Sequence, residues 1–199
     1  MSVSPDIYLM RHGQTAWNLA GRLQGHMDSP LTATGVAQAE AYGRLLGRIL
    51  PDPAQCRVVS SPLGRACRTA AIAVARMGAD PAGVARDARL MEHAFGAWEG
   101  LTWAEIDDAF AASRAARQAD KWGIPAPGGE CYADVAARVA DWLESLTPGA
   151  PVLAFSHGAT ARIVRGLYAG LGRDEMLKLS EPQDRIFRLA AGRIEEIIA

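Results

Sequence analysis

Short apolar runs alternate along the chain with longer stretches in which apolar residues recur every three or four positions. Three of the runs, residues 7–10, 57–60 and 151–155, are typical of strands buried in a sheet. Polar residues follow each run directly. Near the end of the chain, residues 186–198 alternate between apolar and polar around Ala191 and Gly192, which predicts a β-hairpin.

Ordinary start and stop residues bound the helical stretches. A hydroxyl or carboxylate side chain can cap the first turn of a helix, whereas glycine and proline end one. On these signals the predicted helices run, in chain order, from Thr32 to Pro51 and Pro53, from Ser61-Pro62 to Gly78, from the capping box of Thr102 and Glu105 toward Ala119, over residues 135–146, and from residue 163 to Gly172.

Strands that alternate with helices of this length predict an α/β fold. We expect a three-layer sandwich with a mostly parallel central sheet, helices on both faces and a C-terminal antiparallel hairpin. A length of 199 residues suits a single domain, 1–199, and the sequence contains no internal repeat. Residues 100–128 are predicted to form a small lid.

Composition and charge narrow the class of function. The 21 basic and 22 acidic residues give a net charge of −1, so no global field would recruit nucleic acid or an anionic membrane. Residues 1–10 lack the features of a signal peptide, and no apolar stretch is long enough to span a bilayer. Cys56, Cys67 and Cys131 have no metal-binding or redox spacing and are expected to be free thiols. We therefore predict a cytoplasmic protein without a membrane or nucleic-acid partner, either a monomer or a homodimer.

The polar residues at the strand ends are the first candidates for chemistry. In a parallel sheet, ligands bind beyond the carboxyl ends of the strands. Here these ends carry Arg11-His12-Gly13, Ser60-Ser61 and Ser156-His157-Gly158. A lone histidine is more often structural, but two strand-end histidines that are each followed by glycine are hard to explain by packing. One crevice could therefore gather both imidazoles.

Phosphoryl transfer is a reaction that these residue types could carry out. It requires positive charge around the phosphoryl oxygens, a nucleophile in line with the leaving oxygen, and an acid that protonates this oxygen. His12 could attack, and Arg11 and Arg65 could hold the oxygens, aided by the N-terminus of the helix predicted after Ser61. Glu92 is the candidate acid, although a glutamate taken alone is more often a solvated surface residue.

Five segments of the chain carry a family resemblance. They are Arg11-His12-Gly13-Gln14-Thr15-Ala16-Trp17-Asn18; Gly21-Arg22-Leu23-Gln24-Gly25 with residues 28–32 and Gly35; Ser60-Ser61-Pro62-Leu63-Gly64-Arg65-Ala66 with Thr69-Ala70; Leu90, Glu92, Phe95-Gly96 and Trp98-Glu99-Gly100; and Phe155-Ser156-His157-Gly158. In content and order these segments resemble the histidine phosphatase superfamily, in its phosphoglycerate-mutase-like branch. The C-terminal hairpin also fits, so the resemblance covers nearly the whole chain.

The resemblance implies a role for each candidate residue. His12 would attack phosphorus to form a phosphohistidine, and Glu92 would protonate the departing alkoxide and then help to activate water. His157 would have to be cationic while His12 keeps one nitrogen unprotonated, which requires tuned pKa values. The phosphoryl group and the substrate would be held by Arg11, Asn18, Gln24, Gly25, Arg65, His157 and Gly158. No metal and no cofactor are implied.

The superfamily includes mutases, which keep the phosphoryl group, and phosphatases, which lose it to water. In the mutases, a lysine follows the acid-bearing segment and a later insertion carries paired arginines. Here Trp103 replaces the lysine, and Arg114 and Arg117 are not adjacent, so we expect the mutase residues to be absent. We predict a metal-independent phosphomonoester hydrolase acting on a small phosphorylated metabolite. The alternatives are a phosphoglycerate-type mutase and a non-catalytic phospho-ligand binding protein, which would usually lack the nucleophile or the acid.

Five further residues are weaker candidates. His26 and His93 could contact the substrate or could be surface and packing residues. Trp98, Trp103 and Trp122 could form walls of the pocket, although tryptophan at such positions more often belongs to the core.

Overall fold

The computed structural model describes residues 4–50 and 52–199, and six strands of this part of the chain form one sheet. The strands are β1 (Ile7–Arg11), β2 (Arg57–Ser60), β3 (Ala85–Arg86), β4 (Val152–Ser156), β5 (Arg185–Ala190) and β6 (Arg193–Ile198). They lie in the order β3-β2-β4-β1-β5-β6, and β1 to β4 are parallel to one another. Strand β5 is antiparallel to β1, and β6 is antiparallel to β5. The predicted sheet and C-terminal hairpin are confirmed. The two-residue strand β3 is too short to leave a pattern in the sequence.

The described residues also form eight α-helices. They are α1 (Ala16–Leu19), α2 (Ala33–Ile49), α3 (Gly64–Met77), α4 (Trp103–Ala109), α5 (Ala111–Ala119), α6 (Tyr132–Glu144), α7 (Gly158–Tyr168) and α8 (Arg173–Met176). Single 3₁₀ turns cover Pro53–Gln55, Pro81–Gly83, Ala88–Leu90 and Gly96–Trp98. Pro51, expected to help end α2, lies outside the described residues, as do residues 1–3. In the described part, no helix has the length and apolar character needed to cross a membrane.

Alternate residues of the central strands face opposite helical layers. On β1, Tyr8 and Met10 pack into the cluster formed with α2 and α3, whereas Ile7 and Leu9 pack into the cluster formed with α6 and α7. This alternation follows from the pleat of a strand, whose successive side chains point to opposite faces. The predicted three-layer sandwich with helices on both faces is therefore confirmed. The carboxyl ends of β1, β2 and β4 meet at one edge of the sheet, as expected.

Helix α3 begins later than the sequence predicts. Ser61 was expected to cap it, but the helix starts at Gly64 and its N-cap residue, Leu63, makes no side-chain capping bond. The Ser61 hydroxyl lies 2.7 Å from Nε2 of His157 and accepts the N–H of Leu63, before the helix, at 3.3 Å. Asp28, from a distant part of the chain, accepts the backbone N–H of Arg65 in the first turn at 3.2 Å. The capping prediction is wrong because the hydroxyl binds outside the helix and the Asp28 carboxylate binds the helix end.

The predicted lid helix is two helices. The capping box of Thr102 and Glu105 is present as expected. However, α4 ends at Ala109 and α5 begins at Ala111, because Phe110 has a non-helical backbone (φ −133°) and packs its ring near Trp98, with 6.5 Å between the ring centroids. Packing of this aromatic ring against the buried Trp98 and Ile106 outweighs the helical preference of the alanine-rich sequence.

The end of α7 also differs from the prediction. The helix ends at Tyr168, and the left-handed position after it belongs to Gly170 (φ +65°). Gly172, predicted to end the helix, has an extended backbone and is the N-cap residue of α8. Both glycines fit the sequence signal, and only the geometry distinguishes between them.

Candidate active site

A cavity of about 520 Å³ lies beyond the carboxyl ends of the strands, under the lid. We call one part the strand end, which comprises Arg11, His12, Asn18, Arg65 and Glu92. The other part, the lid end, comprises Trp103, Arg114, Arg117, Gln118 and Lys121. Gln24 and Gly25 also line the cavity, as predicted, and so does Glu181, which was not.

The imidazole of His12 is buried and has a defined tautomer. Its Nδ1 lies 2.8 Å from the carbonyl oxygen of Gly13 and therefore carries the proton that it donates there. Its Nε2 accepts the Nε–H of Arg65 at 3.3 Å. Burial, together with Arg11 and Arg65, lowers the pKa of His12 well below the usual value of an imidazole. A neutral ring with a lone pair on Nε2 is the form a nucleophile requires.

Arg65 links His12 to the loop of residues 24–28. Its Nη2 donates to the carbonyl of Gly25 at 2.7 Å, and its Nη1 donates to the carbonyl of Met27 at 2.7 Å. The Asp28 carboxylate accepts a third bond, at 3.1 Å. The guanidinium is thus held in place on three sides, although burial lowers its pKa.

Glu99 holds the same loop from the other side, a role that the sequence did not reveal. Its carboxylate accepts the backbone N–H groups of His26 at 2.9 Å, Met27 at 3.0 Å and Phe95 at 3.0 Å. Gly25 has a left-handed backbone (φ +52°), and a Cβ at this position would collide with the Glu99 carboxylate. Only glycine fits there, which explains its place beside Gln24 in the motif.

His157 lies behind His12 and does not line the cavity. The two ring centroids are 5.2 Å apart, and Nδ1 of His157 has no hydrogen-bond partner among the described residues. Burial, followed by the charges of Arg65, His12 and Arg11, lowers the pKa of His157 well below the usual value. The protein's own charges therefore favour a neutral His157, because the neighbouring charges that act on it are positive. The expectation that it is cationic while it holds a phosphoryl group stays a prediction.

Glu92 lies against the N-terminus of α7, whose first residue is Gly158. Its Oε1 accepts the backbone N–H groups of His93 at 3.0 Å and Thr160 at 3.2 Å. Its Oε2 has a single long contact, 3.4 Å from the N–H of Ala159. The two carboxylate oxygens are thus unequal, and Oε2 is the one with capacity left for a proton.

Asn18 has a fixed amide orientation, set by a residue that the sequence did not point to. Its Oδ1 accepts the N–H of Thr15 at 3.1 Å and the Nε2–H of Gln183 at 3.0 Å. Gln183 also donates to the carbonyl oxygen of His12, at 3.2 Å. With Oδ1 committed twice, the NH₂ group of Asn18 is the group left to donate into the cavity.

The lid end is cationic and aromatic. Arg117 is 3% exposed and lies over Phe95 and Tyr132, with 5.4 and 5.8 Å from its Cζ to the ring centroids. Arg114 lies over Trp103, 4.4 Å from the centroid. Trp103, expected in place of the mutase lysine, lines the lid end. The expectation that the mutase residues are absent stays a prediction, but Arg114 and Arg117, which are not adjacent in sequence, both line the cavity. Their spacing of three residues on α5 places both on the cavity side of one helix, a signal that was present in the sequence.

The weaker candidates divide between wall and core. His93 is buried, stacks on Tyr132 at 5.0 Å, and has its pKa lowered to about 4, first by burial and then by Arg117. His26 lies outside the cavity lining, with Nε2 2.9 Å from the carbonyl oxygen of Glu92. Trp98 is fully buried and Trp122 packs against the core, so only Trp103 of the three tryptophans lines the cavity.

Comparison with known proteins places this site in a family. Residues 7–191 match the model of the histidine phosphatase superfamily, branch 1. A glucosyl-3-phosphoglycerate phosphatase of Mycobacterium tuberculosis is 39% identical over 166 residues, covering 76% of this chain and 70% of that protein. A 2,3-bisphosphoglycerate-dependent phosphoglycerate mutase of Bifidobacterium longum is 33% identical over 208 residues, covering 88% of this chain and 82% of that protein.

A solved structure agrees with the sequence matches. Mycobacterial glucosyl-3-phosphoglycerate phosphatase, in its complex with VO₃, superposes with a TM-score of 0.78 at 33% identity and covers 98% of each chain. The chain belongs to the histidine phosphatase superfamily. Its relatives include both phosphatases and mutases, and the membership is consistent with the predicted class of enzyme, a phosphoric monoester hydrolase.

Proposed function

We propose that this protein hydrolyses phosphomonoesters through a phosphohistidine formed on Nε2 of His12. The observation that carries the proposal is the orientation of the His12 ring. Because Nδ1 donates to the carbonyl of Gly13, Nε2 carries the lone pair of the ring, and this lone pair accepts the Nε–H of Arg65 at 3.3 Å. The lowered pKa of His12 keeps Nε2 unprotonated at neutral pH, so attack on phosphorus replaces only this long contact.

In the first half-reaction, Nε2 of His12 forms a bond to phosphorus while the bond to the ester oxygen breaks. Glu92, protonated on Oε2, gives its proton to the departing alkoxide, which leaves as an alcohol. Arg11, Arg65 and the NH₂ group of Asn18 bind the equatorial oxygens. His157, neutral in the protein's own field, would gain a proton as the dianionic group approaches and would add positive charge behind His12.

In the second half-reaction, the Glu92 carboxylate accepts a proton from water. The oxygen of this water attacks phosphorus, and the bond from phosphorus to Nε2 breaks. Inorganic phosphate and neutral His12 result, and Glu92 is protonated again. The cycle needs no further reactant.

The lid end supports a substrate that carries a second anionic group, such as a carboxylate. Arg114, Arg117 and Lys121 line this end of the cavity without an acidic residue among the other lid-end side chains. Two kinds of relative are named for phosphorylated glycerates, which bear a carboxylate as well as a phosphoryl group. We propose that this protein acts in a reducing compartment such as the cytoplasm, which the free thiols of Cys56, Cys67 and Cys131 support.

A mutase is the second candidate, and the two lid arginines are the observation in its favour. A mutase must keep water from the phosphohistidine, whereas a hydrolase must admit water to it. Measurement of 2-phosphoglycerate formed from 3-phosphoglycerate, beside phosphate released, distinguishes the two. Isomerisation that exceeds phosphate release would replace the hydrolase by a mutase.

The test of the mechanism uses His12→Ala and Glu92→Gln with phosphate release measured in EDTA. His12→Ala should lose at least about 10³-fold in kcat, as the loss of a nucleophile does. Glu92→Gln should lose about 10²- to 10⁴-fold on glycerol 3-phosphate and much less on p-nitrophenyl phosphate, whose leaving group needs no acid.

Glu144→Gln is the matched control for Glu92→Gln, because Glu144 is an exposed glutamate at the end of α6. It should leave both activities unchanged. Equal losses on the two esters in Glu92→Gln would remove Glu92 as the acid. Orthophosphate binding without release from any ester would support the phospho-ligand binding protein instead.

A further inference from the structure

The mechanism leaves one acidic residue of the cavity without a role. Glu181 lies in the segment between α8 and β5, and its side chain lines the cavity together with Arg11 and His12. A carboxylate in a pocket for a phosphoryl group is unexpected, because the two groups repel each other. The position of the Glu181 carboxylate is also well defined, because three arginines hold the segment that carries it.

Three arginines hold this segment. Arg11 donates from Nη1 to the carbonyl oxygen of Glu181, and Arg165 donates from Nη2 to the carbonyl oxygen of Ser180. Arg162 pairs through Nη2 with Oε1 of Glu181 at 2.6 Å. Arg162 is itself fixed, because its Nε donates to the carbonyl of Leu179 at 3.0 Å and its Nη1 to the hydroxyl of Tyr132 at 3.2 Å. Both the backbone and the carboxylate of Glu181 therefore have defined positions.

The carboxylate lies where α7 begins, next to the Arg11 guanidinium. A Cβ on Gly158 would be 2.6 Å from Oε2 of Glu181 and 3.3 Å from Cζ of Arg11, so both groups border the same point. Gly158 immediately follows His157, and the next residue, Ala159, contacts Glu92. Glu181 thus adjoins the residues that the mechanism assigns to the phosphoryl oxygens.

Charged groups from several elements face Glu181. Arg11 comes from β1, Arg162 and Arg165 from α7, and Glu92 from the segment before α4. Burial raises the pKa of Glu181 above the usual range of a carboxyl, and Glu92 acts in the same direction, whereas the arginines oppose the shift. A phosphoryl group bound at Arg11 would add further negative charge to this set.

We propose that Glu181 is a specificity-determining residue that weakens binding of the doubly charged phosphoryl group, of substrate and of product phosphate alike. A phosphomonoester loses its second proton near pH 6, so the singly charged form meets less repulsion. Arg11 and Arg65 of the strand end would otherwise hold inorganic phosphate tightly and slow its release. The proposal rests on the proposed function only in that the phosphoryl group binds at Arg11 and His12.

Glu181→Gln tests this proposal, because it removes the charge and keeps the shape. At pH 8 the KM for glycerol 3-phosphate and the inhibition constant of inorganic phosphate should both fall by about tenfold, because the variant no longer places a like charge beside the phosphoryl group in a partly screened site. At pH 5.5 the fall should be much smaller. Glu40→Gln, which breaks the exposed pair of Glu40 and Arg44 on α2, is the matched control and should change neither constant.

Titration calorimetry with orthophosphate separates failure of this proposal from failure of the proposed function, because it needs no turnover. Tighter orthophosphate binding by Glu181→Gln than by the wild type at pH 8 supports the proposal, even in a protein that releases no phosphate. Equal or weaker binding in a folded variant overturns it, and would mean that the carboxylate serves only to hold Arg162 and Arg11. Unchanged binding with lost ester hydrolysis overturns it equally.

Discussion

The strand end and the lid end of the cavity are built by different forces. At the strand end, hydrogen bonds to backbone groups fix His12, Arg65 and Glu92. These groups belong to the turn after β1, the loop of residues 24–28 and the first turn of α7. At the lid end, Arg114 and Arg117 lie over aromatic rings. Hydrogen bonds are directional, so the strand end has one geometry, whereas packing over rings tolerates change.

This difference indicates that the strand end carries the chemistry and the lid end selects the substrate. Phosphoryl transfer requires the nucleophile and the cations within a few tenths of an ångström of their positions, which the backbone of the sheet edge supplies. The lid can vary in sequence without disturbing that geometry. Relatives named as phosphatases and relatives named as mutases can therefore share the strand end.

The largest effect is expected at His93, whose burial beside the lid end excludes water from its ring. Because the pKa of His93 is about 4 in the folded protein and about 6.5 in an unfolded chain, the unfolded chain takes up the proton first as the pH falls. The free energy of unfolding should therefore fall by about 3 kcal/mol between pH 7 and pH 4 through this residue alone. His93→Phe keeps the ring stacking on Tyr132 and should remove that part of the fall, as measured by urea unfolding at both pH values.

The wild type also loses stability through His12 and His157, whose pKa values are lowered too, so the quantity to compare is the difference between the two proteins. If the free energy of unfolding fell equally in the variant and the wild type, water would reach His93. The lid end would then not be held by buried packing, and its difference from the hydrogen-bonded strand end would be lost.

The next effect concerns the strand end. Gln183→Met removes the donor that commits Oδ1 of Asn18, so the amide can turn and withdraw its NH₂ group from the phosphoryl oxygens. We expect the KM for a phosphomonoester to rise about tenfold, the size of a lost bond to a charged group. In an Asn18→Ala background the same change should have little further effect, which a double-mutant cycle measures. Additive effects would mean that Gln183 acts through the His12 carbonyl alone.

The smallest effect is expected at the lid end. 3-Phosphoglycerate and glycerol 3-phosphate differ in a carboxylate against a hydroxymethyl group. Arg114→Gln should raise the KM for the former about fivefold and leave the latter unchanged, with kcat unaffected for both, because a partly exposed charge is screened. Equal changes for the two esters would show that the lid end does not sense a second anionic group.

Local patterns in the sequence are enough to predict the layers of the fold and to single out the five residues of the strand end. Apolar runs and helical spacing are local signals, so the sheet, the hairpin and most helices could be predicted from them. His12 stands directly after β1, and Arg65 and Glu92 lie in the segments that follow β2 and β3, so the topology of a parallel sheet brings them to one edge. The predictions at Ser61 and Phe110 failed because tertiary contacts override the local preference, whereas at Gly172 the sequence offered two glycines that fit the helix end equally well.

Only the tertiary structure decided which distant residues complete the site. Glu99, Glu181 and Gln183 contact residues far away in the chain. Glu99 stands in a segment that carries the family resemblance, but neither this motif nor the sequence around Glu181 and Gln183 reveals those contacts. The charge of His157 is likewise a collective property, because burial and its cationic neighbours together lower its pKa. Hydrogen bonds and electrostatic fields depend on distance in space, and folding sets that distance.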